Sequence, residues 1–423
     1  MNIITRGEWF DFFGFRSSPF ESQTATQESP EVWIPPPSFE RILGNAQEPQ
    51  SILVFAPRGG GKTACRRLIE YYCSSQVGVG ASIEVGGRVL AVPYDNFSEA
   101  CRRILNGQAV GESWHVGQVL RHALQALITY THESSAVTER FKQKVEELRP
   151  ACRQELYAIM NTYRPAWPSQ IEDLQKLFPG CTETPSLQNH PGLGEIDHLE
   201  RFTALVCDSG NRGLGFDALY VLIDSLDSDS NMANLNQDAV LKLILPLITN
   251  RRLMSGIQKM AMKCFLPKEI RKRLLKNEAM HNMGIPEADI DWQRQNTGDI
   301  LCRRLLNYKN DRNNSSFTRI EELCGPGLRA IEDLLFTVAK GNPRSIIRLC
   351  DFMVEAHVKR PITSPAPDFE DSYLLNELDW EEAQERFEAE LESQKGNSTI
   401  SNINIYGNGN VIGNGSNSRI SKH

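Results

Sequence analysis

The stretch Ala56-Pro57-Arg58-Gly59-Gly60-Gly61-Lys62-Thr63 directly follows the apolar run Ile52-Leu53-Val54-Phe55. The apolar run has the composition of a buried β-strand, and the apolar spacing in 64–73 predicts a helix after the glycines. Glycines in this position let successive backbone N–H groups turn inward around an anion, toward the positive end of the helix dipole. The stretch therefore has the P-loop arrangement of strand, glycine-rich turn and helix.

The side chains of this loop predict a nucleotide and a metal ion. Lys62 has the position that reaches the β- and γ-phosphates, and the Thr63 hydroxyl has the position that holds Mg²⁺. The usual pattern begins with glycine, where this chain has Ala56. We expect ATP and Mg²⁺ as cofactors, with nucleotide contacts from Pro57, Arg58, Gly59, Gly60, Gly61, Lys62, Thr63 and Ala64.

The composition fits a globular protein and excludes some classes of function. The chain has 423 residues, of which 40% are hydrophobic and 23% charged, which is enough for two or three domains. Its net charge of −7 argues against broad binding of nucleic acid. Its ten cysteines lack metal-site spacing. No apolar run approaches the roughly 20 residues of a membrane helix, so we expect a cytoplasmic protein without a membrane segment.

Strand-like and helix-like segments alternate along the chain, which predicts an α/β fold with a parallel sheet. Apolar runs at 89–92, 218–223 and 260–266 are the further expected strands. We divide the chain into five regions: 1–50, an aromatic and proline-rich lead-in that packs on the ATPase; 51–288, a P-loop NTPase core with a helical insertion at about 98–200; 289–360, a helical lid; 361–397, an acidic linker with a helix; and 398–423, an Asn/Gly-rich tail prone to cross-β assembly.

Three further expectations concern individual segments of these regions. The lead-in either forms part of the adenine pocket or is a structural connection. The sequence of 289–308 predicts a helix. Asp379 and Glu382 have the spacing of a capping box, which predicts a surface helix over 380–393.

Two carboxylates follow the expected strand at 218–223. Asp224 has the placement that orders the Mg²⁺ shell, so Thr63 and Asp224 are the expected metal ligands. Asp227 either orients the attacking water or caps a loop. Lys62, Asp224 and Asp227 are the candidate catalytic residues. Arg344, at a helix start, either senses the γ-phosphate or faces solvent.

These motifs resemble those of known P-loop families. Asp224-Ser225-Leu226-Asp227 resembles the Asp-x-x-Asp of the STAND and KAP classes, and Gly341-Asn342-Pro343-Arg344 resembles the sensor-2 region of AAA+ and origin-recognition-like ATPases and the Gly-x-Pro of STAND proteins. The lead-in from Phe13 to Phe20 is similar to that of ExeA- and TniB-type ATPases. Residues from about 8 to 360 thus resemble bacterial AAA+/STAND-like ATPases, which implies a nucleotide switch with slow hydrolysis.

The C-terminal tail has a different character from the rest of the chain. Ile and Val alternate with Asn and Gly in 400–415, with little charge and no proline, a pattern typical of cross-β stacking. The stretch Ile405-Tyr406-Gly407-Asn408-Gly409-Asn410 resembles the core of RHIM and related amyloid signalling motifs. The alternative is a flexible polar tail.

Together these features predict a signalling switch that binds ATP, forms a homo-oligomer and passes its signal through the tail to a separate effector with a matching motif. The resemblance implies bacterial antiphage defence or cell death. The alternative is a DNA-associated AAA+ ATPase of the transposition or origin-recognition type. For that alternative, Lys268, Arg271, Lys272, Arg273 and Lys276 are either a DNA-binding or trans-acting patch or a solvated helix face, and Arg251-Arg252 is an equal candidate for a trans-acting finger.

Overall fold

The core of the fold is a five-stranded sheet in which all strands are parallel, which confirms the α/β class. The computed structural model describes residues 4–21, 28–74, 87–164, 176–178, 181, 194–226, 237–310, 317–360 and 369–400. The strands are β1 (Ile52–Ala56), β2 (Val89–Tyr94), β3 (Ala218–Ile223), β4 (Met260–Pro267) and β5 (Glu287–Asp289). Their order in the sheet is β2-β3-β4-β1-β5.

Three of the strands, β1, β3 and β4, are buried along their whole length, which explains their apolar sequences. Parallel strands covered on both faces have continuous apolar sequences of this kind. β5 is the exception, since only Ala288 of its three residues is buried. The sequence placed Asp289 in a helix, but it ends this short edge strand, which pairs with β1, and the helix begins only at Arg294.

Helices surround the sheet. The α-helices are α1 (Arg6–Phe12), α2 (Phe39–Leu43), α3 (Lys62–Cys73), α4 (Ser98–Leu105), α5 (Glu112–Thr131), α6 (Ser135–Glu147), α7 (Pro150–Tyr163), α8 (Glu195–Cys207), α9 (Gln237–Ile248), α10 (Arg271–Leu274), α11 (Glu278–His281), α12 (Arg294–Asn307), α13 (Ile331–Ala339), α14 (Pro343–Lys359) and α15 (Glu377–Ile400). Short 3₁₀ turns lie at Pro30–Val32, Lys268–Ile270, Ile320–Leu323, Pro326–Leu328 and Phe369–Tyr373, and a π turn lies at Arg252–Gly256.

Two helical layers cover the sheet. On one face, α2 and α3 pack Phe39, Ile42 and Ile69 against the strands. On the other face, α5 lies against β2, and α7 and α8 pack against α5. The helical segments expected between the second and third strands therefore form one wall of the core. Within the described residues, no helix combines the length and the apolar composition needed to cross a bilayer.

The lead-in divides between two parts of the molecule. Its aromatic half packs on the C-terminal helices rather than on the sheet, because Trp9, Phe13 and Phe20 are fully buried in a cluster with α12 to α15. The indole N–H of Trp9 donates to the Tyr373 carbonyl at 2.8 Å. Its second half packs Phe39 and Ile42 against the sheet, and residues between Glu28 and Pro36 line a cavity beside the glycine-rich loop. The described residues of the lead-in therefore contact both the C-terminal helices and the sheet.

The acidic helix α15 is docked on its neighbour rather than lying free on the surface. It begins earlier than expected, because Asn376 is the cap: its Oδ1 accepts from the Leu378 and Asp379 amides, and Asp379 Oδ2 accepts from the Asn376 amide. Asp379 is therefore the N3 residue of the capping box and not its N-cap. The buried Trp380 and Phe387 side chains pack the helix onto α14.

A buried histidine in α5 makes the fold sensitive to acid. His115 is fully buried; its Nε2 donates to the Leu243 carbonyl at 2.8 Å, so its Nδ1 accepts from the Tyr94 hydroxyl at 2.8 Å. Burial lowers the pKa of His115 from 6.5 to about 4. Below pH 6.5 the His115 side chain binds a proton in the unfolded chain but not in the folded one. The free energy of unfolding therefore falls as the pH drops toward 4.

We predict that this histidine carries a measurable part of the acid sensitivity. Between pH 7 and pH 5 the free energy of unfolding of His115→Gln should fall by about 2 kcal/mol less than that of the wild type. Denaturant unfolding at the two pH values measures the difference. His132→Gln, which changes a histidine at the end of the same helix, is the control. Equal losses in His115→Gln and wild type would contradict the prediction.

Candidate functional site

The glycine-rich loop connects β1 to α3 and approaches the C-terminal helices closely. Gly59 and Gly61 have left-handed backbones, with φ of 78° and 94°. A Cβ atom on Gly59 would lie 2.8 Å from Asn342 Oδ1, and one on Gly61 would lie 3.3 Å from the Trp292 ring. Glycine is thus required both by the turn itself and by the neighbours that press against it.

Lys62 begins α3 and is held against the loop. Its side chain is buried, and Nζ donates to the carbonyls of Ala56 and Pro57, both at 3.1 Å. A buried ammonium needs such partners because an unpaired charge away from water is costly. The positive charge of Lys62 therefore lies inside the curve of the loop.

Asp224 is fully buried at the end of β3, and β4 separates β3 from β1. Its Oδ2 accepts from Arg66 Nε at 3.2 Å, while its Oδ1 has no hydrogen-bond partner among the described residues. Burial raises the pKa of Asp224, and Arg66, the Ser225 amide, the Thr63 side chain and Lys62 oppose this shift. The carboxylate thus lies close to Lys62 and Thr63.

Arg66 is a functional candidate that sequence reasoning missed. Its buried guanidinium contacts Asp224, lies 3.0 Å from Asp95 and also pairs with Glu70. The signal was present in the spacing, because Arg66 lies three residues after Thr63 and thus on the same side of the helix. Arg66 therefore holds Asp95 and Glu70 near Asp224, and it fixes one of the two carboxylate oxygens of Asp224.

A cavity of about 470 Å³ opens beside these residues at the carboxyl ends of the parallel strands. Ligands of open α/β sheets bind at this end of the strands. The walls come from the lead-in, the core and the C-terminal helices: Glu28, Val32, Trp33, Ile34, Pro36, Arg58, Gly59, Gly61, Lys62, Thr63, Ala64, Cys65, Ser225, Trp292, Ile300, Arg304, Pro343, Arg344 and Ile347. Of the expected loop contacts, only Pro57 and Gly60 are absent from this lining.

Two C-terminal side chains are bonded directly to the loop. The Trp292 indole N–H donates to the Gly60 carbonyl at 2.9 Å, and Asn342 Nδ2 donates to the Arg58 carbonyl at 2.8 Å. Asn342 also caps α14 by accepting from the amides of Arg344 and Ser345. The sequence drew attention to Asn342 only as part of a turn and did not single out Trp292.

The wall opposite the loop contains a buried ion pair and apolar side chains. Arg304 Nη1 donates to Glu28 Oε2 at 2.9 Å, and both side chains are buried. The Trp33 indole N–H donates to the same carboxylate at 3.2 Å. The pair joins the lead-in to α12, and Val32, Ile34, Ile300 and Ile347 give this end an apolar surface.

The remaining candidates lie elsewhere. Asp227 is outside the described residues. The basic residues that suggested a DNA-binding patch are largely paired with carboxylates: Lys268 with Asp291, Arg271 with Glu287 and Asp289, and Arg273 with Asp238. Arg252, one candidate for a trans-acting finger, pairs with Asp197 and Glu200. These pairs favour the interpretation of a solvated surface.

Comparison with known proteins assigns neither a family nor a function to this chain. No protein-family model matches this chain, and no curated protein is significantly similar to it. The chemistry of the cavity therefore rests on its residues and their geometry.

Proposed function

We propose that the chain is an ATP-dependent signalling switch whose nucleotide site is the cavity beside the glycine-rich loop. The observation that carries the proposal is that the buried Asp224 carboxylate interacts with Lys62 and Thr63, which line a cavity walled by three separate segments. A loop of backbone N–H groups with a lysine and a hydroxyl is the arrangement that binds the phosphates of a nucleoside triphosphate.

The residues present fit Mg²⁺ and ATP. The loop and Lys62 bind the phosphates, and Thr63 and Asp224 hold the metal ion. Asp224 Oδ1, buried and without a partner among the described residues, is an acceptor suited to Mg²⁺ or to one of its waters. Bound Mg²⁺ neutralises phosphate charge and prepares the terminal phosphoryl group for transfer. The apolar end near Trp33 and Ile347 fits the base.

The contacts of the loop with the C-terminal helices provide the switch. In this proposal 289–360 is the lid, and Trp292 and Asn342 link it to the loop carbonyls. Arg344 lines the same cavity and is the residue that senses the γ-phosphate. Phosphates in the loop therefore bias the position of α14, and α15 is packed on α14.

The signal leaves through the tail. Movement of α14 and α15 promotes homo-oligomerisation, which raises the local concentration of the 398–423 segments until they nucleate a cross-β assembly. A separate effector with a matching motif then joins that assembly. We place this activity in the bacterial cytoplasm, in antiphage defence or cell death, with slow hydrolysis resetting the switch.

The tail gives the experiment that tests the switch. Replacing Ile405 and Ile412 by Asp places like charges above one another in every layer of a cross-β stack, so fibre formation should be lost while ATP affinity is unchanged. Thioflavin fluorescence and sedimentation of the full chain, with and without ATP, measure assembly, and calorimetry measures ATP binding.

Replacing Ser416 and Ser418 by Asp adds the same charges outside the alternating stretch and serves as the matched control. Fibres from the Ile405→Asp/Ile412→Asp variant, or a wild-type protein that stays monomeric with ATP for days, would show that the tail is only a linker.

A further inference from the structure

A second cavity, of about 320 Å³, lies at the opposite end of the sheet from the glycine-rich loop. Arg88, immediately before β2, and Phe216, shortly before β3, form part of its wall. Strand β3, which is about 20 Å long, lies between Phe216 and Asp224. The cavity is therefore distinct from the proposed ATP site, although one strand connects the two.

Arg88, Arg140 and Lys144 line this cavity, and among the residues that the structure describes no carboxylate is part of its lining. Arg140 and Lys144 lie one turn apart on α6 and both contribute to the lining. Like charges at this spacing destabilise a helix unless an anion lies near them. Lys144 Nζ lies 3.3 Å from Glu147 and also donates to the Gly210 carbonyl at 2.7 Å.

The Arg88 guanidinium is held in place by groups that do not neutralise its positive charge. Its Nη2 donates to the carbonyls of Leu214 and Gly215 at 2.8 and 2.5 Å, which are neutral acceptors. The nearby Asp217 carboxylate accepts from the Arg88 backbone amide at 2.7 Å. A guanidinium held in place by carbonyls is oriented before any ligand arrives, which lowers the entropic cost of binding.

Aromatic rings form the apolar part of the same wall. The Arg88 guanidinium lies 4.6 Å from the centroid of the Phe216 ring, and the Tyr130 ring lies 5.0 Å from Phe216. Phe141, on the same face of α6 as Arg140 and Lys144, completes the apolar surface. Cations beside aromatic rings suit a ligand that carries both a negative group and a planar ring.

We infer that this cavity is a binding site for a small phosphate ester with a planar ring, of the nucleotide class. Arg88, Arg140 and Lys144 bind the phosphate, and the rings of Tyr130, Phe141 and Phe216 contact the base. The volume is within the range of about 300–1,000 Å³ in which small-molecule sites are found. The inference does not depend on ATP binding at the glycine-rich loop.

The test uses the full chain carrying Lys62→Ala, so that the glycine-rich loop does not contribute. AMP, GMP, CMP and UMP are titrated by calorimetry, with adenosine and inorganic phosphate as the separate halves of the ligand. We expect at least one nucleotide to bind more tightly than either half. Adding Arg140→Glu and Lys144→Glu should weaken that binding at least tenfold, because two attractive charges become repulsive.

Lys142→Glu is the matched control, since Lys142 belongs to the same helix but does not line the cavity, and it should leave binding unchanged. Arg140→Ala, which removes one exposed charge, serves as the second variant if the double variant fails to fold, and it should weaken binding measurably. The inference is overturned if no nucleotide binds at millimolar concentration, if phosphate alone binds as tightly as the nucleotides, or if the cavity variants bind like Lys142→Glu.

Discussion

Replacing Lys62 by Ala should raise the Kd for ATP about 100-fold or more. Hydrogen bonds to charged groups contribute about 1.5–3 kcal/mol each, and Lys62 contacts the most highly charged part of the ligand. Lys62 is buried inside the loop, where the Ala56 and Pro57 carbonyls hold its Nζ atom. Calorimetric titration of ATP into the Mg²⁺-loaded protein measures the change.

Lys359→Ala is the control for this prediction, because Lys359 ends α14 and its exposed side chain lies 3.8 Å from Glu355. Thermal unfolding must show that Lys62→Ala remains folded, since the Ala56 and Pro57 carbonyls lose their shared donor. Equal ATP affinity in the two variants would show that the phosphates do not bind at the glycine-rich loop.

Replacing Asp224 by Ala should abolish hydrolysis, reducing the rate by about 100-fold or more, because losing one preorganised charge contact at a reacting centre has costs of this size. Wild-type turnover is expected at roughly 1 per second or below, the low end of the ordinary range. Asp227→Ala should slow hydrolysis with less effect on ATP binding. Phosphate release from Mg²⁺-ATP, followed over time, measures each rate.

Glu70→Gln separates the metal role of Asp224 from its pairing with Arg66. Glu70 pairs with the same guanidinium, whereas Asp224 also interacts with Lys62 and Thr63, so neutralising Glu70 should change hydrolysis much less than Asp224→Ala does. Similar losses in both variants would mean that the ion-pair network supports folding and that Asp224 has no separate role. Fast, steady turnover by the wild type would instead indicate a motor.

Much of the architecture was predictable because periodicity is a local property. The buried runs of β1, β3 and β4 are continuous in sequence and were expected as strands. β5 was missed because only Ala288 of its three residues is buried, so its pairing with β1 leaves no pattern to detect. The true cap of α15 was missed because Asp379 occurs in two overlapping capping patterns, and only the hydrogen bonds of Asn376 with Leu378 and Asp379 show which of them forms.

By itself, the sequence determined the strand, glycine turn and helix from Ile52 to Cys73, since strand length, glycine freedom and helix start are all set within some twenty residues. Only the tertiary structure decided that β4 lies between β1 and β3, that Arg66 meets Asp224, and that Trp292 and Asn342 bond to the loop. These contacts join residues far apart in the chain. Such contacts form because the whole core must be buried and because its buried polar groups need hydrogen-bond partners. No local sequence pattern specifies which residues meet in this way.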